Sequence, residues 1–521
     1  MAIKLIFLFI FFAITVGIGV YCRKKATDVN GFVLGGRSVG PWLTAFAFGT
    51  SYFSAVIFVG YAGQFGWKFG MASTWIGLGN AFIGSLLAWS VLGRRTRVMT
   101  QALDSKTMPD FFGLRFKSKG LRIAASVIVF LFLIPYTASL FNGLSRLFTT
   151  AFPGVQYAWC VIIMAVLTAV YVIVGGYMAT AINDFIQGII MLCGIAAVVV
   201  MVLNQNGGLN GSVEVLSQIT TEQTANQNGA FTSFFGPDFI GLISVVLLTS
   251  LGTWGLPQMV GKFYSIKSES DISKGTIIST VFAIVVAGGC YFLGGFGRLF
   301  ATASADGTPV GGYDSIVPNM IKALNSDVMF GIVLILVLSA SMSTLSGLVL
   351  TSSSTITLDL IAPLTKKEFG EKKKMITLRC FVAFFIIVSA VIAILQDIYG
   401  FAFIAQLMGV SWGALAGSFL APFLYGLYWR KTSKASVAVS FIFGSVFMLC
   451  NFICQFTGTT FITPMLNSPL NAGVLAMLCG LVLVPVVTFI TPKMDKKEVD
   501  DIFSCYDQRI TVSVKHSLKN K

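Results

Sequence analysis

The sequence is dominated by apolar blocks about as long as a membrane is thick. Thirteen blocks can be delimited, at 3–21, 42–64, 72–92, 123–147, 158–174, 185–203, 239–260, 276–299, 328–350, 377–395, 401–425, 437–456 and 472–490. A helix of about 20 residues crosses roughly 30 Å of hydrocarbon. Charged residues make up only 11% of the chain, against roughly 25% in soluble domains. We therefore expect an all-α polytopic membrane protein with about 13 transmembrane helices.

The net charge of +15 is explained by topology. With the amino terminus placed outside, 31 of the 36 Lys and Arg residues fall in segments on the cytoplasmic side, Lys262 among them. The long opposite loops, 204–238 and 300–327, hold only Lys322. Such a bias is typical of multi-pass proteins. We expect a cell-membrane protein surrounded by lipid bilayer, with its amino terminus outside, its carboxyl terminus in the cytoplasm and no nucleic-acid partner.

The polar segments suggest one membrane domain and little else. Residues 1–492 are expected to form it, with 493–521 as a cytoplasmic tail that contains His516. The first block is followed by Arg23-Lys24-Lys25 and by no small-residue cleavage site, so we interpret it as a retained helix. The stretch 105–116 has mixed polarity and predicts a short interfacial helix. No catalytic triad, metal cluster or phosphate loop is recognisable, which argues against an enzyme.

Two blocks are interrupted in comparable ways. The second contains Phe48-Gly49-Thr50-Ser51-Tyr52-Phe53-Ser54, and the seventh contains Thr249-Ser250-Leu251-Gly252-Thr253-Trp254-Gly255-Leu256-Pro257. Backbone freed at membrane depth is tolerated only where it lines a cavity or is buried in protein. Matched breaks in two halves mark the binding site of inverted-repeat transporters. Blocks 2–6 and 7–11 would be the halves, and packing kinks are the alternative.

The acidic residues limit which ion such a site could use. No Glu or His lies inside a block, Asp184 is the acidic residue most embedded in apolar sequence, and Asp359 is expected at an exposed helix end. A proton relay needs ionisable side chains inside the membrane, and the blocks offer almost none. A metal cation is therefore favoured over a proton as the coupling ion. The ninth block offers hydroxyl oxygens for a hard cation, namely those of Ser339, Ser341, Ser343, Thr344 and Ser346. These hydroxyls are equally suited to bonding their own helix.

Several short motifs together resemble those of the sodium–solute symporters, from the first block to the eleventh. They are Gly35-Gly36-Arg37-Ser38, the break at Thr50–Ser54, Gly175-Gly176 with Asn183-Asp184 and Gln187-Gly188, Trp254-Gly255 with Pro257, Met342-Ser343-Thr344, and Leu427-Tyr428-Trp429-Arg430. The resemblance implies a LeuT-like core, a five-plus-five inverted repeat in which helices 2 and 7 are broken.

The resemblance also implies site residues. The main sodium site would use the carbonyls of Thr50, Phe53 and Ala340 and the hydroxyls of Ser343 and Thr344. A second sodium site would use Asp184 and Ser346, but Gly347 stands where the family has a further hydroxyl, which puts a second ion in doubt. The substrate pocket would include Ser54, Tyr136, Thr249, Thr253, Trp254 and Gln406.

The expected function is sodium-coupled import of a small solute that carries a carboxylate. A pantothenate-like acid, an amino acid such as proline and a monocarboxylate are the candidates. Compared with proline-specific members, Tyr52 replaces an Asp, and Thr249 and Thr253 replace aromatic residues. No fixed Lys or Arg is expected in the pocket, so a carboxylate would rely on helix N–H groups and on the sodium ion. The alternatives are a proton-coupled carrier of this fold and a substrate-sensing membrane receptor, and the oligomeric state is left open.

Overall fold

The computed structural model describes residues 2–152, 154–224, 227–324, 326–365, 369–400 and 404–507. Within those ranges the chain is helical, and the extended pairing consists of two isolated bridges, Val39 with Ile266 and Ala303 with Pro309. Residues 508–521 of the expected tail, His516 among them, lie outside the described residues. The expected boundary at residue 492 falls between two helices and stays a prediction.

The α-helices, numbered along the chain, are α1 Ala2–Cys22, α2 Val29–Leu34, α3 Pro41–Tyr52, α4 Ala62–Phe69, α5 Thr74–Gly79, α6 Arg94–Ala102, α7 Met108–Arg115, α8 Lys119–Ala151, α9 Tyr157–Asn204, α10 Gly208–Ser217, α11 Phe239–Ser250, α12 Pro257–Tyr264, α13 Ser270–Ala283, α14 Gly289–Gly294, α15 Ile316–Lys322, α16 Asp327–Thr355, α17 Ala362–Leu364, α18 Glu371–Tyr399, α19 Ile404–Tyr428, α20 Lys434–Thr457, α21 Pro469–Ile490 and α22 Lys496–Phe503.

Wider and tighter helical turns connect these segments. The π-helical turns are Val56–Tyr61, Asn80–Leu87, Trp89–Gly93, Ile284–Gly288 and Ile356–Ile361. The 3-10 turns are Arg23–Lys25, Gly35–Arg37, Gly70–Ser73, Glu222–Thr224, Ala230–Thr232, Leu251–Gly255, Gly297–Leu299, Tyr313–Ser315, Pro464–Asn467 and Ser504–Tyr506.

Ten helical stretches in the described residues are long and apolar enough to cross a membrane, or eleven if the bent pair Phe239–Gly255 and Pro257–Tyr264 forms one span. The expected number was thirteen. The difference arises because the stretches Val56–Ala102 and Tyr157–Asn204 each contain apolar sequence from two blocks. The multi-pass architecture is confirmed, whereas thirteen crossings and the orientation of the termini stay predictions.

Two glycines turn the chain inside these long stretches. Gly70 has φ 60° and ψ −140° after the end of α4, and Gly176 has φ 56° and ψ −154° inside α9. Residues with a Cβ rarely adopt such angles, whereas glycine does so at little steric cost. A straight helix with the 48 residues of α9 would be about 72 Å long. That is more than twice the thickness of the hydrocarbon, about 30 Å, so the break at Gly176 divides α9 into two membrane-length parts.

Both predicted helix breaks are present. The helix α3 ends at Tyr52, and Phe53 is extended, with φ −101° and ψ 118°. After α11 the chain passes through the 3-10 turn Leu251–Gly255 and an extended Leu256 before α12 begins at Pro257, with a bend of 46°. Proline suits the first turn of a helix because the N–H it lacks has no partner there.

The stretch 105–116 is helical as predicted, but the helix is packed into the protein. The Thr107 hydroxyl accepts a hydrogen bond from the Asp110 N–H at 3.1 Å and caps α7. The Phe111 ring packs at an angle against that of Phe423 on α19, with ring centroids 4.9 Å apart. The Arg115 guanidinium is fully buried and donates to the Gly426 carbonyl at 2.9 Å. Burial lowers the pKa of Arg115 to about 10, so it stays charged at neutral pH.

Candidate functional site

Five oxygen atoms meet where the break of α3 faces α16. The Thr344 hydroxyl lies 3.1 Å from the Thr50 carbonyl oxygen, 3.3 Å from that of Phe53 and 3.1 Å from that of Ala340. The Ser343 hydroxyl lies 3.3 Å from the Thr50 oxygen and 3.1 Å from the Ala340 oxygen. The structure thus brings together all five residues expected at the main sodium site.

The local fold explains why these oxygens are available. Thr50 is in the last turn of α3 and Phe53 follows its end, where carbonyl groups have no partner within the helix. The hydroxyls of α16 fill that role, and all five residues are buried. Ser343 and Thr344 also bond the Ala340 carbonyl of their own helix. The hydroxyls of Ser343 and Thr344 therefore contact their own helix and the end of α3 at the same time.

The spacing of these oxygens suits a hard cation. Oxygen ligands at about 2.3–2.6 Å from an ion, placed at right angles, are separated from each other by roughly 3.3–3.7 Å. The separations given above, 3.1–3.3 Å, lie at or just below the lower end of that range. Carbonyls and hydroxyls are the donors such a cation accepts without a buried counter-charge. The residues present fit a sodium ion.

Asp184, expected at a second sodium site, faces a lysine instead. Its side chain is fully buried on α9, and the Lys262 ammonium lies 3.6 Å from Oδ2. Lys262 belongs to α12, and its side chain is only 4% exposed. Lys262 therefore faces a buried carboxylate and not solvent. The side of the membrane on which it lies, and the absence of a fixed cation from the substrate pocket, stay predictions. Ser346, the other residue expected there, donates to the Ser343 carbonyl at 2.9 Å.

Asp359 is buried as well, which corrects its expected place at an exposed helix end. The Arg122 side chain on α8 contacts its Oδ1 at 2.9 Å, and the Thr107 hydroxyl donates to Oδ2 at 2.5 Å. Arg122 also pairs with Asp110 of α7 at 3.0 Å. Burial raises the pKa of Asp110, and the Arg122 guanidinium opposes that rise. This cluster ties α7 and α8 to the end of the ninth block.

Aromatic side chains lie beside the first helix break. The rings of Tyr52 and Trp412 are stacked, with centroids 6.1 Å apart, and Tyr136 packs edge-on against Trp412 at 6.0 Å. The Tyr136 hydroxyl lies near Ser54 and Trp412. The hydroxyls of Tyr136 and Ser54 and the Trp412 indole N–H are buried without a hydrogen-bond partner among the described groups. The structure thus places two expected pocket residues, Ser54 and Tyr136, next to each other, and it packs Tyr136 against Trp412, which sequence analysis missed.

Asn80 contacts the residues of the second helix break, Thr249 and Ser250. Sequence analysis missed this residue as well. Its Oδ1 accepts hydrogen bonds from the hydroxyls of Thr249 and Ser250, each at 3.0 Å, and its Nδ2 has no described partner. The Tyr52 hydroxyl donates to the Thr249 carbonyl. A signal was present, because Asn80 is an amide inside an apolar block, where polar groups are expensive. Of the expected pocket residues, Thr249 thus lies next to Tyr52, and its part in a pocket stays a prediction.

Three expected pocket residues have other roles or positions. The Thr253 hydroxyl donates to the Ser250 carbonyl of its own turn at 2.7 Å. The Trp254 indole donates to the Ile83 carbonyl at 3.1 Å, which fixes the ring against the neighbouring helix. Gln406 lies in the first turn of α19 with a partly exposed side chain. Their part in a pocket stays a prediction.

A small cavity reaches Lys262 from the end of the bundle where α7 lies. Its volume is about 40 Å³, whereas a site for one water needs about 10–15 Å³ on the same measure. Its lining includes Met108, Tyr177, Gln258, Lys262 and Gly347. The cavity therefore has room for a few waters or a small ion next to the lysine.

Comparison with known proteins gives relatives along most of the chain. The sequence pattern of the sodium:solute symporter family matches residues 32–444. The osmoregulated proline transporter OpuE of Bacillus subtilis (strain 168) is 29% identical over 443 residues, covering 84% of this chain and 87% of that protein. A sodium/proline symporter of Staphylococcus aureus (strain JH9) is 29% identical over 496 residues, covering 94% and 92%.

Solved structures agree on the fold. A Na+-coupled sialic acid symporter in a substrate-bound outward-open state has a TM-score of 0.75 at 16% identity, covering 95% of this chain and 99% of that one. Mhp1, a nucleobase-cation-symport-1 family transporter in a closed conformation, has a TM-score of 0.51 at 16% identity, covering 91% and 98%. These likenesses confirm the LeuT-like, all-α fold. With a family pattern that spans most of its length and relatives that are secondary transporters and not enzymes, this chain belongs to the sodium:solute symporter family.

Proposed function

We propose that this protein uses a sodium gradient to import a small solute that carries a carboxylate, with proline as the first candidate. The observation that carries the sodium part is the meeting of Ser343 and Thr344 with the carbonyls of Thr50 and Phe53. Family membership supports sodium coupling in general, and the oxygen cluster supports these residues as the place where the ion binds.

The position of the cluster supports a coupling mechanism. Its oxygens come from two elements far apart in the chain, the break of α3 and the middle of α16. A cation shared between them would favour the conformation in which the two elements are close. Since the Tyr52 and Ser54 side chains belong to the same break, sodium binding and solute binding would favour the same arrangement. Such a shared preference is what couples two ligands thermodynamically.

The unpaired donors support a solute with acceptor groups. The Ser54 and Tyr136 hydroxyls, the Trp412 N–H and the Asn80 amide N–H₂ are buried without described acceptors. A buried donor left unsatisfied costs about 1–3 kcal/mol. A carboxylate supplies acceptor lone pairs for several donors at once. The donor-rich lining therefore favours a carboxylate over a cationic solute.

Proline comes first because the two relatives named above are a proline transporter and a sodium/proline symporter. Pantothenate-like acids and short monocarboxylates present the same acceptor group and remain the other candidates. Tyr52 occupies the position of the acidic residue found in proline-specific members, so recognition of an amine would have to use other groups in this chain.

Uptake of labelled solute into liposomes that contain the purified protein tests the proposal. We expect accumulation driven by an inward sodium gradient and none driven by a pH gradient in sodium-free buffer. Equal uptake under a pH gradient would contradict sodium coupling and support the proton-coupled alternative. A thermal-shift screen of acids, amino acids, sugars and nucleosides, with and without sodium, identifies the solute, because a ligand of the folded state raises its stability. Stabilisation by neutral sugars or nucleosides alone would contradict the carboxylate.

A further inference from the structure

A positively charged side chain of the protein, that of Lys262, lies at the position expected for a second sodium ion. Asp184 is its one expected carboxylate, and the Lys262 ammonium lies 3.6 Å from Oδ2. Both residues are buried, and their side chains are 0% and 4% exposed. Neither carboxylate oxygen has a closer described polar partner. Lys262 is therefore the counter-charge of Asp184.

Gly347 lies beside this ammonium. A Cβ built on Gly347 would lie 3.9 Å from Lys262 Nζ and 3.5 Å from the Ser51 hydroxyl oxygen. The ammonium is thus close to Gly347, the position at which the resemblance described above implies a hydroxyl. The Tyr177 ring faces the same ammonium, with its centroid 5.4 Å from Nζ, a distance at which an aromatic face attracts a cation. Lys262 thus lies next to both Gly347 and Asp184, two positions of the expected second sodium site.

A second sodium ion does not fit beside this lysine. An ion bound to Asp184 Oδ2 at about 2.3–2.6 Å would lie at most roughly 6 Å from the ammonium, and one bound to Oδ1 at most roughly 8 Å. Two like charges at such distances repel strongly when they are out of water. Asp184 alone would have to neutralise both of them. The residues present therefore disagree with a second sodium site.

We propose that the Lys262 ammonium is the permanent cation of the second site, so that one sodium ion, bound at the Thr50–Thr344 cluster, accompanies each solute. This inference rests on the proposed sodium-coupled transport and specifies its stoichiometry. Asp184 is then the anchor of a lysine on α12 and not a sodium ligand. A free sodium ion would approach Asp184 through the cavity beside Lys262, and the Lys262 ammonium would repel it there.

Counting sodium ions on the purified protein tests the inference without measuring transport. We expect equilibrium binding of radioactive sodium to give one ion per chain, and Thr344→Ala to lose it within the same concentration range. Removing one charge of a buried pair leaves the other unpaired, whereas removing both is often tolerated. The informative variant is therefore the Asp184→Asn/Lys262→Met double change, with Lys267→Met, at an exposed lysine nearby, as the matched control.

The double variant is expected to keep one sodium ion with unchanged affinity. A further variant, Lys262→Met with Gly347→Ser, restores a hydroxyl and frees Asp184, and it is expected to bind two ions. Two ions on the unmodified protein, one of them lost with Asp184, would overturn the inference and leave sodium coupling intact. A Lys262→Met/Gly347→Ser variant that folds and still binds one ion would also overturn it, because Lys262 would not be what excludes the second. No sodium on the unmodified protein would overturn the proposed function itself.

Discussion

The Thr344 hydroxyl on α16 lies 3.1 Å from the Thr50 carbonyl oxygen at the break of α3, across 294 positions of sequence. One end of this contact is a side chain that substitution can remove, and the other is a backbone carbonyl that no substitution removes. The two hydroxyls of α16 are therefore the part of the cluster open to mutation.

Thr344→Ala and Ser343→Ala are each expected to raise the sodium concentration needed for half-maximal stabilisation or uptake. Loss of one buried hydrogen-bonding group costs about 1–3 kcal/mol, which corresponds to roughly a 5- to 150-fold weaker affinity. Ser341→Ala is the matched control, because its hydroxyl bonds the Val337 carbonyl of the same helix at 2.7 Å. Equal sodium dependence in all three variants would show that these hydroxyls only bond their own helix.

Tyr136→Phe is expected to weaken solute binding and to leave sodium binding without solute unchanged. A hydrogen bond to a charged group contributes about 1.5–3 kcal/mol, so affinity should fall roughly 10- to 150-fold. Solute-dependent thermal shifts at saturating sodium measure this. Tyr157→Phe serves as control, since that hydroxyl bonds the Ala393 carbonyl at 3.4 Å. Full affinity in Tyr136→Phe would place the solute elsewhere.

Arg122→Ala is expected to destabilise the protein strongly. It would leave two buried carboxylates, Asp359 and Asp110, without their shared cation. Breaking a buried pair costs about 3–5 kcal/mol, whereas an exposed pair contributes about 0–1 kcal/mol. The comparison is Arg430→Ala, which removes an exposed pair with Asp500. Thermal unfolding of the two variants measures the difference, and equal melting temperatures would contradict the role assigned to Arg122.

Gly66→Ala is expected to impair folding, because a Cβ there would lie 1.8 Å from the Gly294 carbonyl oxygen. Both atoms belong to packed helices, α4 and α14, and overpacking costs about 1–3 kcal/mol or more. Gly261→Ala on α12 has no heavy atom within 4 Å of the new Cβ, so its stability should be unchanged or slightly raised. Amounts of folded protein after detergent extraction compare the two, and equal yields would argue against close contact of α4 with α14.

Much of the fold was predictable because membranes impose simple rules on sequence. Blocks of about 20 apolar residues predict spanning helices, and the unusual strings around Thr50 and Trp254 predicted both breaks. The oxygen cluster of Thr50, Phe53, Ala340, Ser343 and Thr344 was expected from the resemblance to a family, since hydroxyls on α16 alone are equally suited to bonding their own helix. In the structure Thr344 makes both kinds of contact, so spacing could not have separated them.

The lysine–aspartate pair was not predictable by the same reasoning. Lys262 follows Pro257 by five residues, near the end of an apolar block, where a long side chain can point to solvent or back into the protein. The positive-inside pattern favoured solvent. Only the three-dimensional path of α12 brings its ammonium to Asp184, 78 positions earlier in the chain. Asp359 was misplaced for the same reason, because its partner Arg122 comes from a distant helix.

A lysine in place of a second ion limits how far the carrier can concentrate its solute. One sodium ion moving through 100 mV releases about 2.3 kcal/mol, and a tenfold concentration gradient adds about 1.4 kcal/mol. For a solute without net charge, the steepest gradient that one ion can sustain is therefore roughly 500-fold. Two ions would square that ratio. With one sodium ion per solute, as we propose, the ceiling on accumulation would be lower, and in return each imported molecule would bring in one sodium ion fewer for the cell to expel.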